Sequence, residues 1–228
     1  SKQLWLLGII GALFYLPSSV IGDVWGQPYL QSAYHLSKDN AANLMGIFFL
    51  SWAVAGPLIG AYSDKVKKRK TIITNSLIIL FIALSIVILL PNIFSMQIPY
   101  LILVSLFIII GAATSSHPLI FALAKESFSE KHSGIIIATT NMLIMLGGLI
   151  FQPLIGVILD FTHGAKVSNI HLYNNHDFSI AFAIIPLSLI LSLFLMNHVS
   201  KSQISMQKNK ESFIEKTKKA LELTLTES

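Results

Sequence analysis

Three groups of side chains in this 228-residue chain have the types and spacing to do chemistry. Ser115, Ser116 and His117 stand in a row before Pro118. A hydroxyl beside an imidazole suggests a nucleophile with its base. Adjacent residues do not face one another, however, so the row makes a poor dyad. His117 serves better as a proton carrier near neutral pH, or as the partner of a carbonyl freed by Pro118. Asn141 and Gln152 stand eleven residues apart, three helical turns, so on a helix they share one face. Two such amides can bind a solute or bridge to neighbouring helices. The third group is Asp64, followed by five basic residues in six positions: Lys65, Lys67, Lys68, Arg69 and Lys70. A lone carboxylate in so cationic a run is placed to dock, because it can accept from the free N–H groups at a helix start.

Other chemistries lack their residues. There is no Cys, which excludes disulfides, thiol catalysis and Cys-based metal sites. There is no H-E-x-x-H, no pair of carboxylates within an apolar run, and no phosphate loop of the form G-x-x-x-x-G-K-[ST]. His163, His171 and His176 are spaced by 8 and 5, which fits no turn of helix, so they read as a polar loop. No metal and no cofactor are expected.

The elements that hold these groups are read from hydropathy. The chain is 54% hydrophobic and 12% charged, with mean hydropathy +0.70. An ordinary soluble domain carries about 25% charged residues. A soluble globule, a disordered chain and a nucleic-acid binder are therefore excluded in favour of an all-α integral membrane protein. Six runs are long enough to cross a bilayer, at about 4–25, 41–62, 71–90, 98–124, 134–159 and 178–196. Residues 71–124 contain no charged side chain, and the Pro91 to Pro99 segment divides them into two spans. Fourteen of the sixteen Lys and Arg fall on one side, leaving Lys38 and Lys166 on the other. Positive residues stay inside, so both ends are expected in the cytoplasm and the span count must be even. Residues 1–199 thus form a transmembrane unit, and 200–228 form a basic cytoplasmic tail that either lies on anionic lipid or is solvated. Ser1 rather than Met opens the chain, so a piece of a longer protein is expected.

Polar residues inside a bilayer are costly and so become candidates for function. Tyr15 and Ser19 in the first span, Trp52 in the second, Ser115, Ser116 and His117 in the fourth, and Asn141 and Gln152 in the fifth are the candidate solute path. Helix bends are expected at Pro17, Gly22, Pro118, Gly147, Gly148 and Pro153. The two glycines also suit close helix packing, and Asp23 suits the outer rim.

The loop Gly60-Ala61-Tyr62-Ser63-Asp64-Lys65-Val66-Lys67-Lys68-Arg69-Lys70 resembles the loop signature of the major facilitator superfamily, G-x-L-a-D-r-x-G-r-k. Gly60, Asp64, Lys65, Lys68 and Arg69 match, whereas Tyr62 replaces the Leu and Lys67 the second Gly. Residues 134–160, with Gly147-Gly148, Gln152-Pro153, Gly156 and Asp160, resemble helix 11 of bacterial members. The resemblance implies helices 7–12 of a twelve-helix transporter in a bacterial inner membrane, with an amino-terminal half as partner. It further implies a central site for a small solute, membrane lipid around it, bending gates in helices 7 and 10, and a cytoplasmic latch. For the latch it points to Gly60, Asp64, Lys68, Arg69 and Glu126, with Glu130 as a second acid near Arg69. The expected function is secondary active transport by alternating access, ion- or proton-coupled and not enzymatic. A channel or a non-transporting sensor is the alternative, and a membrane-embedded enzyme is a more distant one.

Overall fold

The computed structural model describes residues 1–93, 97–128, 132–163 and 173–199. Among them stand six helices long and apolar enough to cross a membrane. These are α1 (Lys2–Tyr34), α2 (Lys38–Val66), α3 (Arg69–Ile93), α4 (Tyr100–Glu126), α5 (Ser133–His163) and α6 (Asn175–Asn197). The tail beyond Val199, Glu130, Lys166 and His171 lie outside the described residues.

Each helix follows an apolar run and outruns it at one end or both. At about 1.5 Å per residue, the 33 residues of α1 reach about 50 Å, well beyond a hydrocarbon core of about 30 Å. The overrun is set by caps, which hydropathy does not register. Ser37 accepts from the Asn40 N–H at the start of α2. Asn174 and Asp177 form a reciprocal capping box at the start of α6. Two turns close in the left-handed region on residues other than glycine: His35 after α1 (φ 52°) and Lys67 after α2 (φ 55°).

Helix α1 runs through the middle of the bundle. It packs on α5 and α6, and its far end meets α2; α3 joins α4 and α6, and α4 carries α2. Close approach needs small residues. A Cβ on Gly147 would stand 2.8 Å from the Ala12 Cβ, and one on Gly111 would collide with the Phe48 carbonyl, so α1 meets α5 and α2 meets α4 nearly backbone to backbone. Most of α2 and much of α5 face away from the bundle, leaving Leu50, Val54, Leu58, Met142, Leu149 and Val157 uncovered.

Polar contacts tie each end. At the basic end Gln3 donates to Ser127 (3.2 Å), and the Lys70 ammonium donates to the Val199 carbonyl (2.9 Å). At the opposite end Ser32 donates to the Tyr173 carbonyl and Gln97 to the Ala33 carbonyl. Pro91 has no N–H to offer the Val87 carbonyl one turn back. The hydroxyls of Tyr29 and Tyr34 both donate to that carbonyl at 2.7 Å and fasten the carboxyl-terminal part of α1 to α3.

Candidate functional site

The polar residues of α1 gather where its backbone is irregular. The helix is α up to Pro17, a π-helix over Ser18–Trp25, and α again over Gly26–Tyr34. The expected bend at Pro17 and Gly22 is thus a widened stretch of continuous helix. Pro17 begins it by withholding a donor; the Ser18 N–H turns to the Tyr15 carbonyl, and the Ser19 hydroxyl donates back to Leu16 at 3.2 Å. At the far side of the stretch the Gly26 N–H closes on the Ile21 carbonyl, five residues back. Asp23 and Val24 point away from the bundle.

Gln152 of α5 meets this stretch directly. Its side-chain amide donates to the Ser19 carbonyl at 2.8 Å, and its backbone carbonyl accepts from the Trp25 indole at 3.3 Å. Asn141 is exposed, so the two amides of the expected shared face have different surroundings. Helix α5 runs through Gly147, Gly148 and Pro153 as one α-helix, and the two glycines lie against Ala12, Tyr15 and Ser19 of α1. Close packing rather than a break accounts for them.

The second irregularity is in α4, which is α-helical to Thr114, turns over Ser115–Pro118 and resumes at Leu119. The hydroxyls of Thr114, Ser115 and Ser116 donate to the carbonyls of Ile110, Ala112 and Ala113 at 2.7, 2.7 and 3.0 Å. Small hydroxyls thus take up local carbonyls where Pro118 interrupts the ladder. His117 is buried, and its ring centroid lies 5.6 Å from that of Phe14, 5.4 Å from Tyr15 and 6.1 Å from Phe121. Its Nε2 has no hydrogen-bond partner. Tyr15, Ser19, Gln152 and His117 are therefore brought together around the irregular middle of α1. Trp52 stacks instead among Phe48 and Phe49 on α2, beside an apolar groove between α2 and α4 lined by Leu50, Ser51, Val54 and Ile108.

At the basic end Arg69, the one Arg of the chain, holds three partners. Its guanidinium donates to Glu126 (2.7 Å), to Asp64 (2.8 Å) and to the Ser63 hydroxyl (3.2 Å). Asp64 thus meets the first side chain of α3 where capping of its N–H groups was expected. Lys68 is exposed, and Gly60 has open space around it.

One cluster escaped the sequence reading, which put His163 in a polar loop; His163 instead ends α5. At the opposite end the Tyr173 hydroxyl donates to the Asp160 carboxylate, and His163 Nδ1 lies 2.7 Å from Asp177 Oδ2, which also accepts the Asn174 N–H at 3.0 Å. Burial first, and the Asp160 carboxylate second, push the Tyr173 phenol up to about 12, so it keeps its proton. The Asn174–Asp177 spacing of a capping box is the signal that marks this cluster in the sequence. Among the described residues no group of three or more His, Cys, Asp or Glu is placed to hold a metal.

No curated protein matches the chain. A family model described as Major Facilitator Superfamily matches residues 7–225.

Proposed function

The chain belongs to the Major Facilitator Superfamily, and from that premise we propose that it is the carboxyl-terminal six-helix half of a bacterial secondary active transporter. That it is an integral membrane protein of a transporter family follows from the family and from the six apolar helices. The finer reading is alternating access for a small solute, driven by a proton or another ion. One observation carries it: α4 is irregular at His117, and His117 packs on Tyr15, three residues before the π-helical stretch of α1. Within a bilayer, irregular backbone persists only where it is buried or lines a cavity, and interrupted helices in the middle of the membrane are a recurrent construction of transporter sites. Buried His117, with Nε2 unpartnered, is the candidate proton carrier of the described residues.

The uncovered apolar faces of α2 and α5 support a second six-helix bundle as the structural partner. The basic end, with Lys65 to Lys70 and the start of α1, faces the cytoplasm on this reading. Counterflow in proteoliposomes tests the function, using a panel of radiolabelled sugars, amino acids and small organic acids. Saturable exchange across the membrane supports a carrier. Flux that does not saturate points to a channel, and absence of flux for every class in the intact protein overturns the reading.

A further inference from the structure

We propose that Gln152 is a positioning residue: it clamps both ends of the π-helical stretch of α1 and so sets which α1 side chains face the transport path. The inference rests on the transport reading for its consequence and on geometry for its substance. π-Helical stretches are rare and gather at functional sites. Pro17 begins the stretch, but Ser18–Trp25 contain no proline to carry the widening as far as Trp25. The widened register therefore needs an external hold, and α5 supplies one at two points. The Gln152 side-chain amide donates to the Ser19 carbonyl near the start of the stretch, and the Gln152 backbone carbonyl accepts from the Trp25 indole at its end. The interior is closed by Gly26, where a Cβ would collide with the Ile21 carbonyl and stand 2.8 Å from the Met45 sulfur.

The two flanking parts of α1 are anchored to different helices. The amino-terminal part lies on α5 through Gly147 and Ala12, and the carboxyl-terminal part hangs from the Val87 carbonyl of α3 through Tyr29 and Tyr34. The clamped stretch is where these anchors meet. Releasing the wide turn changes the register by one residue between them. A one-residue change turns the affected positions by about 100° about the axis and about 1.5 Å along it. Asp23 and Val24, which face away from the bundle, lie within the stretch that turns.

The chain has no Cys, so positions 18–24 can each carry a single introduced thiol without background labelling. The measurement is the reactivity of each thiol with a water-soluble maleimide in the intact protein in lipid nanodiscs. Gln152→Leu keeps bulk and the backbone carbonyl that holds Trp25, but removes the donor that holds the Ser19 carbonyl. It is expected to move the reactivity maximum from positions 23 and 24 by one residue. Gly26→Ala, which leaves Gln152 in place, is expected to produce the same one-residue shift. An unchanged pattern in both variants, with normal insertion and monodispersity, overturns the inference. Uptake of the same solute panel separates the two readings. Lost uptake in Gln152→Leu with an unshifted pattern makes Gln152 a solute contact and overturns the positioning role while leaving transport standing. A shifted pattern in protein that moves no solute upholds the clamp and counts against transport.

Discussion

Removing the Arg69 guanidinium should loosen the basic end by an amount the structure allows one to work out. Arg69 reaches Glu126 across two helices at 2.7 Å and Asp64 across the α2–α3 turn at 2.8 Å. The Arg69 side chain is 16% exposed, that of Glu126 48% and that of Asp64 70%. Water screens both acids, and Asp64 more. Exposed ion pairs are worth about 0.2–1 kcal/mol. The half-covered Arg69–Glu126 pair belongs near the top of that range and Arg69–Asp64 near the bottom. A coupling of about 1 kcal/mol changes a conformational equilibrium about fivefold. The assay is a double-mutant cycle on Arg69→Gln and Glu126→Gln, read by the distance between spin labels at positions 68 and 125 in the intact protein. Each single variant should lower the population with the short distance about fivefold relative to the long one. The double variant should fall no further than the worse single one. The effect should shrink in 1 M salt, where the Debye length is about 3 Å. Strictly additive singles, or distance populations that do not move, would refute a latch at Arg69 and leave a solvated turn.

Three further outcomes follow from geometry. Tyr29→Phe or Tyr34→Phe alone should cost little, because the other hydroxyl still serves the Val87 carbonyl. The double variant strands a buried carbonyl and should lose about 1–3 kcal/mol, visible as a more than additive drop in the thermal midpoint in detergent. Lys67→Gly should stabilise the fold by up to about 1 kcal/mol and so raise that midpoint, since Lys67 sits at φ 55° where an L-residue is penalised; an unchanged or lower midpoint would contradict the account. Gly111→Ala should separate α2 from α4, because its Cβ would collide with the Phe48 carbonyl. Faster hydrogen exchange in α2 is the expected sign, and unaltered exchange the contrary one.

Hydropathy and charge made the six helices legible, because a bilayer demands long apolar runs whatever the packing. The place of Arg69 beside Glu126 was legible too, since the only Arg stands at one helix start and the acid at another helix end. Helix ends were not. Tyr34 closes α1 well past Trp25, because its limit is set by His35 in the left-handed region and by the Val87 carbonyl on another helix. Pro17, Gly22 and Gly26 signalled irregularity in α1, but whether the chain breaks or widens depends on Gln152, more than a hundred residues away. Ser115 and Ser116 looked like a polar lining, yet their donors go to the carbonyls of Ala112 and Ala113. The roles of these residues in a solute path belong to the proposal rather than to the fold.

The least covered helix is also the one with the least slack. Helix α2 is joined to α1 through residues 35–37 and to α3 through residues 67–68, and each of these turns carries one left-handed residue. A strut on such short leashes cannot wander when its neighbours shift; it has to travel with them. Whatever lies against its uncovered face therefore feels displacement from both ends at once. Lengthening either turn by a few glycines would leave the helix in place and remove that transmission, which makes slack a variable that can be dialled independently of any side chain.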